Sequence, residues 1–213
     1  MDSTTPDIVA LLELAPVIPV IVIEEEAVAV PLARALVAGG LPVLEVTLRT
    51  DSALGAIKRI AEEVPDAIVG AGTVLSPADV SASVAAGARF LVCPGSTPTL
   101  LDAMLDSGAA ALPAAATASE VIALLERGLT CAKFFPARPA GGVPYLKSLA
   151  GPLPMVRFCP TGGIDLGTAP EFLALPNVAC VGGSWLTPGD AVAAGKWDRI
   201  EELAREARAL QVT

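Results

Sequence analysis

The sequence predicts an α/β fold, a (β/α)8 barrel in a single domain over residues 1–213, on three observations. Short apolar, strand-like segments begin near residues 17, 42, 67, 90, 110, 131, 155 and 178. Amphipathic helix candidates separate them, and strands alternating with helices imply parallel pairing through right-handed crossovers. The 213 residues accommodate eight such units without a linker or low-complexity tract, near the lower end for one barrel. An open doubly wound sheet is the runner-up. Against it, the first strand–helix turn lacks Gly-x-Gly-x-x-Gly and no strand stands out as an edge.

An additional N-terminal helix is expected over residues 5–15, with Thr5 as cap, Pro6 at the first helical position and Asp7 in the first turn. Ile8, Leu11 and Leu12 give it an apolar face and Pro16 stops it. The run from Val17 to Ile23 is apolar throughout, as in strands covered on both faces. A helix is read from Glu24 to Gly40. Several later helices are closed by Gly87, Gly108, Gly128 and Gly151, and Pro77 and Pro98 open two of them. The last helix, around Trp197 to Leu210, puts Trp197, Ile200, Leu203, Ala207 and Leu210 on one packing stripe.

Composition excludes several function classes. The net charge is −9 and no basic run appears, which argues against a nucleic-acid or anionic-membrane partner. The longest apolar runs are single-strand length, too short to cross a bilayer. Residues 1–16 carry Asp2, Asp7 and Glu13 without a basic leader, so a cytoplasmic protein is expected. Cys93, Cys131, Cys159 and Cys180 form no Cys-x-x-Cys pair and read as reduced core thiols. There is no histidine, which removes histidine triads and histidine-ligated metals. Acid/base work falls to carboxylates, lysine, tyrosine, cysteine or water.

Against this background, polar residues inside apolar strands carry the information. Lys133 sits within Leu129 to Pro136, flanked by Ala132 and Phe134. Burying it charged and unpaired is expensive, and the usual response is a depressed pKa that frees a nucleophilic amine of the Schiff-base kind. The bland alternative is an edge strand with the ammonium snorkelling to water. In the second strand, Pro42 to Arg49, period-two geometry puts Glu45, Thr47 and Arg49 on one side and Leu44, Val46 and Leu48 on the other. The polar set is expected to face the barrel interior, with Glu45 a semi-buried proton carrier. A filling ion pair of Glu45 with Arg49 or Lys133 is the competing reading. Arg49 could grip a carboxylate bidentately or pair with Asp51 at the surface.

The third strand ends in Gly70-Ala-Gly-Thr73, a weak signal that lets a ligand approach backbone and offers the Thr73 hydroxyl. More specific are Thr161-Gly-Gly163 after the seventh strand and Gly182-Gly-Ser184 after the eighth. Paired glycines at these two places suit phosphate binding by bare N–H groups.

Residues 42–49, 69–75, 131–137, 158–164 and 181–186 resemble the signature segments of the 2-keto-3-deoxy-6-phosphogluconate (KDPG) and 4-hydroxy-2-oxoglutarate (KHG) aldolase family, in matching order. The resemblance implies a metal-free, cofactor-free class I aldolase, usually a homotrimer, that releases pyruvate from KDPG and often from KHG. It implies Lys133 as the Schiff-base lysine and Glu45 as general acid/base. Arg49 and Thr73 would hold the pyruvate carboxylate, Thr161 the sugar-acid chain, and Gly162, Gly163, Gly182 and Ser184 the phosphate. Ala114 and Ala116 depart from the family's glycine and serine, which leaves substrate preference open. Thr161 leans toward the gluconate over the galactonate epimer. An epimerase of the histidine-and-metal type, a non-catalytic phosphate-binding barrel and an aldolase for unphosphorylated acids are the alternatives.

Overall fold

Every strand of the computed structural model, which describes residues 7–211, pairs in parallel with its neighbours. The strands are β1 (Val17–Ile21), β2 (Val43–Thr47), β3 (Ile68–Gly72), β4 (Phe90–Val92), β5 (Ala110–Leu112), β6 (Cys131–Phe134), β7 (Arg157–Pro160) and β8 (Val181–Gly183). Six form a sheet in the order β5-β4-β3-β2-β1-β8, and β6 pairs with β7. Single parallel bridges continue the pairing: Ala114 with Lys133, Phe158 with Val178, and Thr161 with Gly182. The strand starts lie within about three residues of those expected, because each follows directly on an apolar run.

The helices are α1 (Ile8–Glu13), α2 (Ala29–Ala38), α3 (Ala53–Glu63), α4 (Pro77–Ala85), α5 (Pro98–Asp106) and α6 (Ala118–Leu125). They are followed by α7 (Gly142–Ala150), α8 (Ala169–Leu173), α9 (Gly189–Ala193) and α10 (Trp197–Arg208). Caps set many of their starts. Ser76 and Asp79 form a capping box on α4, Thr117 and Glu120 one on α6, and the Thr97 hydroxyl accepts from Leu100 N–H at the start of α5.

Two expectations are corrected. Asp7 is itself the N-cap of α1, its carboxylate accepting from Val9 N–H at 3.0 Å, while Thr5 and Pro6 lie outside the described residues. The stretch from Glu24 does not wind at once into a helix. The carbonyls of Ile23 and Glu24 accept from the hydroxyls of Thr50 and Ser52 (2.5 and 2.8 Å), and Glu25 is extended. A 3-10 turn, Glu26–Val28, then leads into α2.

Packing divides the apolar side chains by strand face. Leu44, Val46, Val69, Leu91, Ala132, Phe134 and Phe158 meet the helices in the larger core, with Leu36, Ile57 and Ile200. Ile18, Val43, Phe90, Val92, Leu112, Cys131, Cys159 and Cys180 meet one another on the opposite face, joined by Leu11 and Leu12 of α1. Helix α1 therefore covers one end of that second cluster, and the polar residues of the strands lie beyond it.

Candidate active site

Glu45 and Thr47 share a strand face, as the alternation in β2 requires, while Leu44 and Val46 go to the helix side. Both are buried, at 3% and 1% exposure. Thr47 is satisfied locally, its hydroxyl donating to the Ile21 carbonyl at 3.0 Å. In β6 the same alternation sends Ala132 and Phe134 into the core and Lys133 the other way. Lys133 Nζ donates to Glu45 Oε1 at 3.0 Å, and both side chains are withdrawn from water. The ring of Phe135 lies 5.3 Å from the same nitrogen. An edge-strand lysine is excluded, since β6 pairs with β7 on one side and with Ala114 on the other. Buried charge of this kind is tolerated only when paired and well hydrogen-bonded. The ion pair that competed with function in the sequence is thus present and unites the two residues of interest.

The other candidates stand at or just past strand ends. Thr73 follows β3 and is the positive-φ non-glycine among the described residues (φ 58°), a conformation that costs a β-branched residue free energy. Strand β2 ends at Thr47, so Arg49 stands two residues past it, in the turn, and its side chain is exposed. The strand stops there because Arg49 N–H turns back to the Thr47 carbonyl at 2.8 Å. Among the described residues Arg49 makes no ion pair with Asp51.

The glycine turns have two functions. Gly162 and Gly163 have φ of 105° and 76°, which only glycine adopts readily. Gly182, by contrast, makes room: a methyl on it would lie 2.2 Å from Thr161 Oγ1. A methyl on Gly183 would lie 2.1 Å from the Trp185 ring. Thr161 is buried against Gly182, whereas Ser184 is exposed just past β8. Of the departures Ala114 and Ala116, the first lies beside the lysine strand. Ala114 is bridged to Lys133 and its carbonyl accepts from the Ser96 hydroxyl at 3.2 Å; Ala116 N–H donates to Glu120 at 2.8 Å.

Beneath Lys133 the second cluster holds three of the four free thiols. Burial pushes Cys131 up to about 11 and raises Cys93. The hydrogen bond with Cys159, followed by burial, raises Cys180 well above the ordinary range. Among the described residues no three His, Cys, Asp or Glu side chains are placed to ligate a metal. Sequence reasoning read Gly72 only as ligand-facing backbone and did not single out Arg138. A methyl on Gly72 would meet Glu45, and Arg138 lies against Gly163. Only the folded chain brings either pair together.

The family model for KDPG and KHG aldolase matches residues 8–203. The chain is 55% identical over 192 residues to 2-dehydro-3-deoxy-phosphogluconate aldolase of Pseudoalteromonas atlantica, covering 90% of this chain and 89% of that one. It is 52% identical over 198 residues to the KHG/KDPG aldolase of Escherichia coli K12, covering 93% of each. The fold superposes with a TM-score of 0.92 on KDPG aldolase from Legionella pneumophila, crystallised with pyruvate captured at low pH as a covalent carbinolamine intermediate. That pair is 48% identical, covering 94% of this chain and 98% of that one. A family model spanning nearly the whole chain, together with these identities, means that the chain belongs to the KDPG and KHG aldolase family.

Proposed function

We propose that this protein is a class I, Schiff-base aldolase that reversibly cleaves KDPG to pyruvate and glyceraldehyde 3-phosphate, and KHG to pyruvate and glyoxylate. The observation that carries the reading is the buried hydrogen bond from Lys133 Nζ to Glu45 Oε1 at 3.0 Å. Proton transfer along it leaves a free amine facing a carboxylic acid. The amine attacks the C2 ketone of the substrate and forms a carbinolamine. Glu45 returns its proton to the departing hydroxyl, so water leaves and a cationic iminium remains. The C4 hydroxyl proton then passes to the Glu45 carboxylate as the C3–C4 bond breaks. Its electrons flow into the iminium, giving an enamine and a free aldehyde. Protonation at C3 and hydrolysis release pyruvate and restore the amine. The carbinolamine captured in the Legionella relative is the adduct that such an amine forms first, which supports this order of steps.

Arg49 and Thr73 hold the pyruvate carboxylate in this reading, Arg49 through its forked donors and Thr73 through its hydroxyl. Thr161 contacts the sugar-acid chain and favours the gluconate epimer. Gly162, Gly163, Gly182 and Ser184 receive the phosphate. Among the described residues the N–H group of Gly163 has no backbone carbonyl partner, which leaves it available. The bridges that continue the sheet from β5 to β6 and from β7 to β8 support a closed (β/α)8 barrel. We take residues 1–213 as its single domain, with α1 as the additional helix, in a cytoplasmic homotrimer. The candidate residues then gather at the strands' C-terminal ends, where such barrels do chemistry.

Pyruvate release from KDPG and from KHG by wild type and by Lys133→Met tests the assignment. Turnover of both substrates by the wild type and none by the variant is expected. A variant that cleaves KDPG at the wild-type rate would remove the Schiff-base mechanism.

A further inference from the structure

The turn that ends β7 is gripped from the loop after β6. Ala137 N–H donates to the Thr161 carbonyl at 2.8 Å and Arg138 N–H to the Gly162 carbonyl at 3.2 Å. The stem of Arg138 then lies flat on Gly163. A methyl at Gly163 would stand 2.9 Å from Arg138 Cδ, 3.2 Å from Cγ and 3.3 Å from Cβ. The guanidinium closes back on the same residue, Nη1 donating to the Gly163 carbonyl at 3.4 Å. One side chain therefore covers a turn whose two glycines are both left-handed.

Its charge is free to act there. Arg138 is exposed and enters no ion pair among the described residues, although Glu171 lines the same recess. Asp165, two residues past the turn, feels it: hydrogen bonds from Thr168 chiefly hold its carboxyl below the usual range, and the Arg138 charge adds to them. A phosphorylated sugar acid approaches a chain of net charge −9. A cation on the cradle's own turn offsets part of that repulsion.

We propose that Arg138 is a positioning residue for the phosphate end of the substrate. It pins the Gly162–Gly163 turn so that the Gly163 N–H stays aimed, and it supplies positive potential that selects phosphorylated over unphosphorylated sugar acids. This rests on the phosphate cradle proposed above.

The test is steady-state kinetics of wild type, Arg138→Gln and Arg138→Lys on KDPG and on 2-keto-3-deoxygluconate, the same chain without phosphate. In Arg138→Gln the KM for KDPG rises about tenfold, equivalent to about 1.4 kcal/mol, with the loss in KM and little of it in kcat. The preference for KDPG over the unphosphorylated acid falls by the same factor, and KM becomes less sensitive to salt. Arg138→Lys keeps the charge and recovers the salt sensitivity, with only part of the affinity, because it lacks the fork. Pyruvate trapping on Lys133 in each variant reports an intact site. Equal losses on both substrates, a loss confined to kcat, or no change in preference would overturn the inference. A wild type that already shows no preference for KDPG would overturn the cradle and this inference together. A preference that survives Arg138→Gln would overturn this inference alone.

Discussion

A methyl group placed on Gly72 would lie 2.3 Å from Oε1 of Glu45, the same oxygen that accepts from Lys133. Gly72 thus leaves the space in which the carboxylate turns toward the amine. Replacing it by alanine forces Glu45 aside while the strand backbone, which has ordinary φ, survives. Gly72→Ala is expected to lower kcat by about 100-fold, the effect of misplacing a catalytic group by roughly 1 Å. Circular dichroism and kcat measured on the same preparation check this; full activity in a folded Gly72→Ala would refute it.

The buried pair sets function against stability. Removing one partner strands the other charge, and Lys133→Met or Glu45→Met alone is expected to destabilise the fold by about 3 kcal/mol. The double variant has no charge left to desolvate. It is expected to be at least as stable as the wild type in urea melts and inactive toward KDPG. A double variant less stable than both single ones would mean that the pair holds the fold together.

How much of this was legible in the sequence depends on whether the signal was local. Strand starts and the facing of Glu45 follow from short apolar runs and period-two alternation, so both were readable; the same pattern left Lys133 open between a buried and an edge strand. Pro77 and Pro98 marked their helix starts for the same reason. The 24–28 stretch was misread because its carbonyls are claimed by Thr50 and Ser52, hydroxyls about 27 residues on. The end of β2 was placed two residues late because nothing in residues 47–49 announces the backbone turn at Arg49. The glycines were read as ligand-facing backbone. Gly72, Gly182 and Gly163 also make room for Glu45, Thr161 and Arg138, partners that no local pattern links to them.

The buried thiols predict an alkaline limit on stability. Cys131 is raised from 9.0 to about 11 in the folded chain, so the unfolded chain ionises first as pH rises. Its contribution is fully present below pH 9 and is lost as pH climbs toward 11, at about 1.4 kcal/mol per pH unit across that window. Urea unfolding at several pH values is expected to show a shallower decline in Cys131→Ala than in wild type. Parallel declines would contradict the assignment.

Packing between α2 and α10 offers a control far from the chemistry. A methyl on Gly39 would sit 2.4 Å from Ala204 Cβ and 2.7 Å from the Glu201 carbonyl. Gly39→Ala is expected to destabilise by about 1–3 kcal/mol through overpacking, with kcat unchanged per folded molecule. Thermal melts and active-site-normalised rates separate the two effects.

Borohydride reduction in the presence of pyruvate, followed by intact mass and peptide mapping, tests directly whether Lys133 carries the covalent chemistry. One reduced pyruvate adduct per chain, on Lys133, is expected in the wild type, and none in Lys133→Ala. No adduct on the wild type, or one that maps to another lysine, would contradict a Schiff base on Lys133.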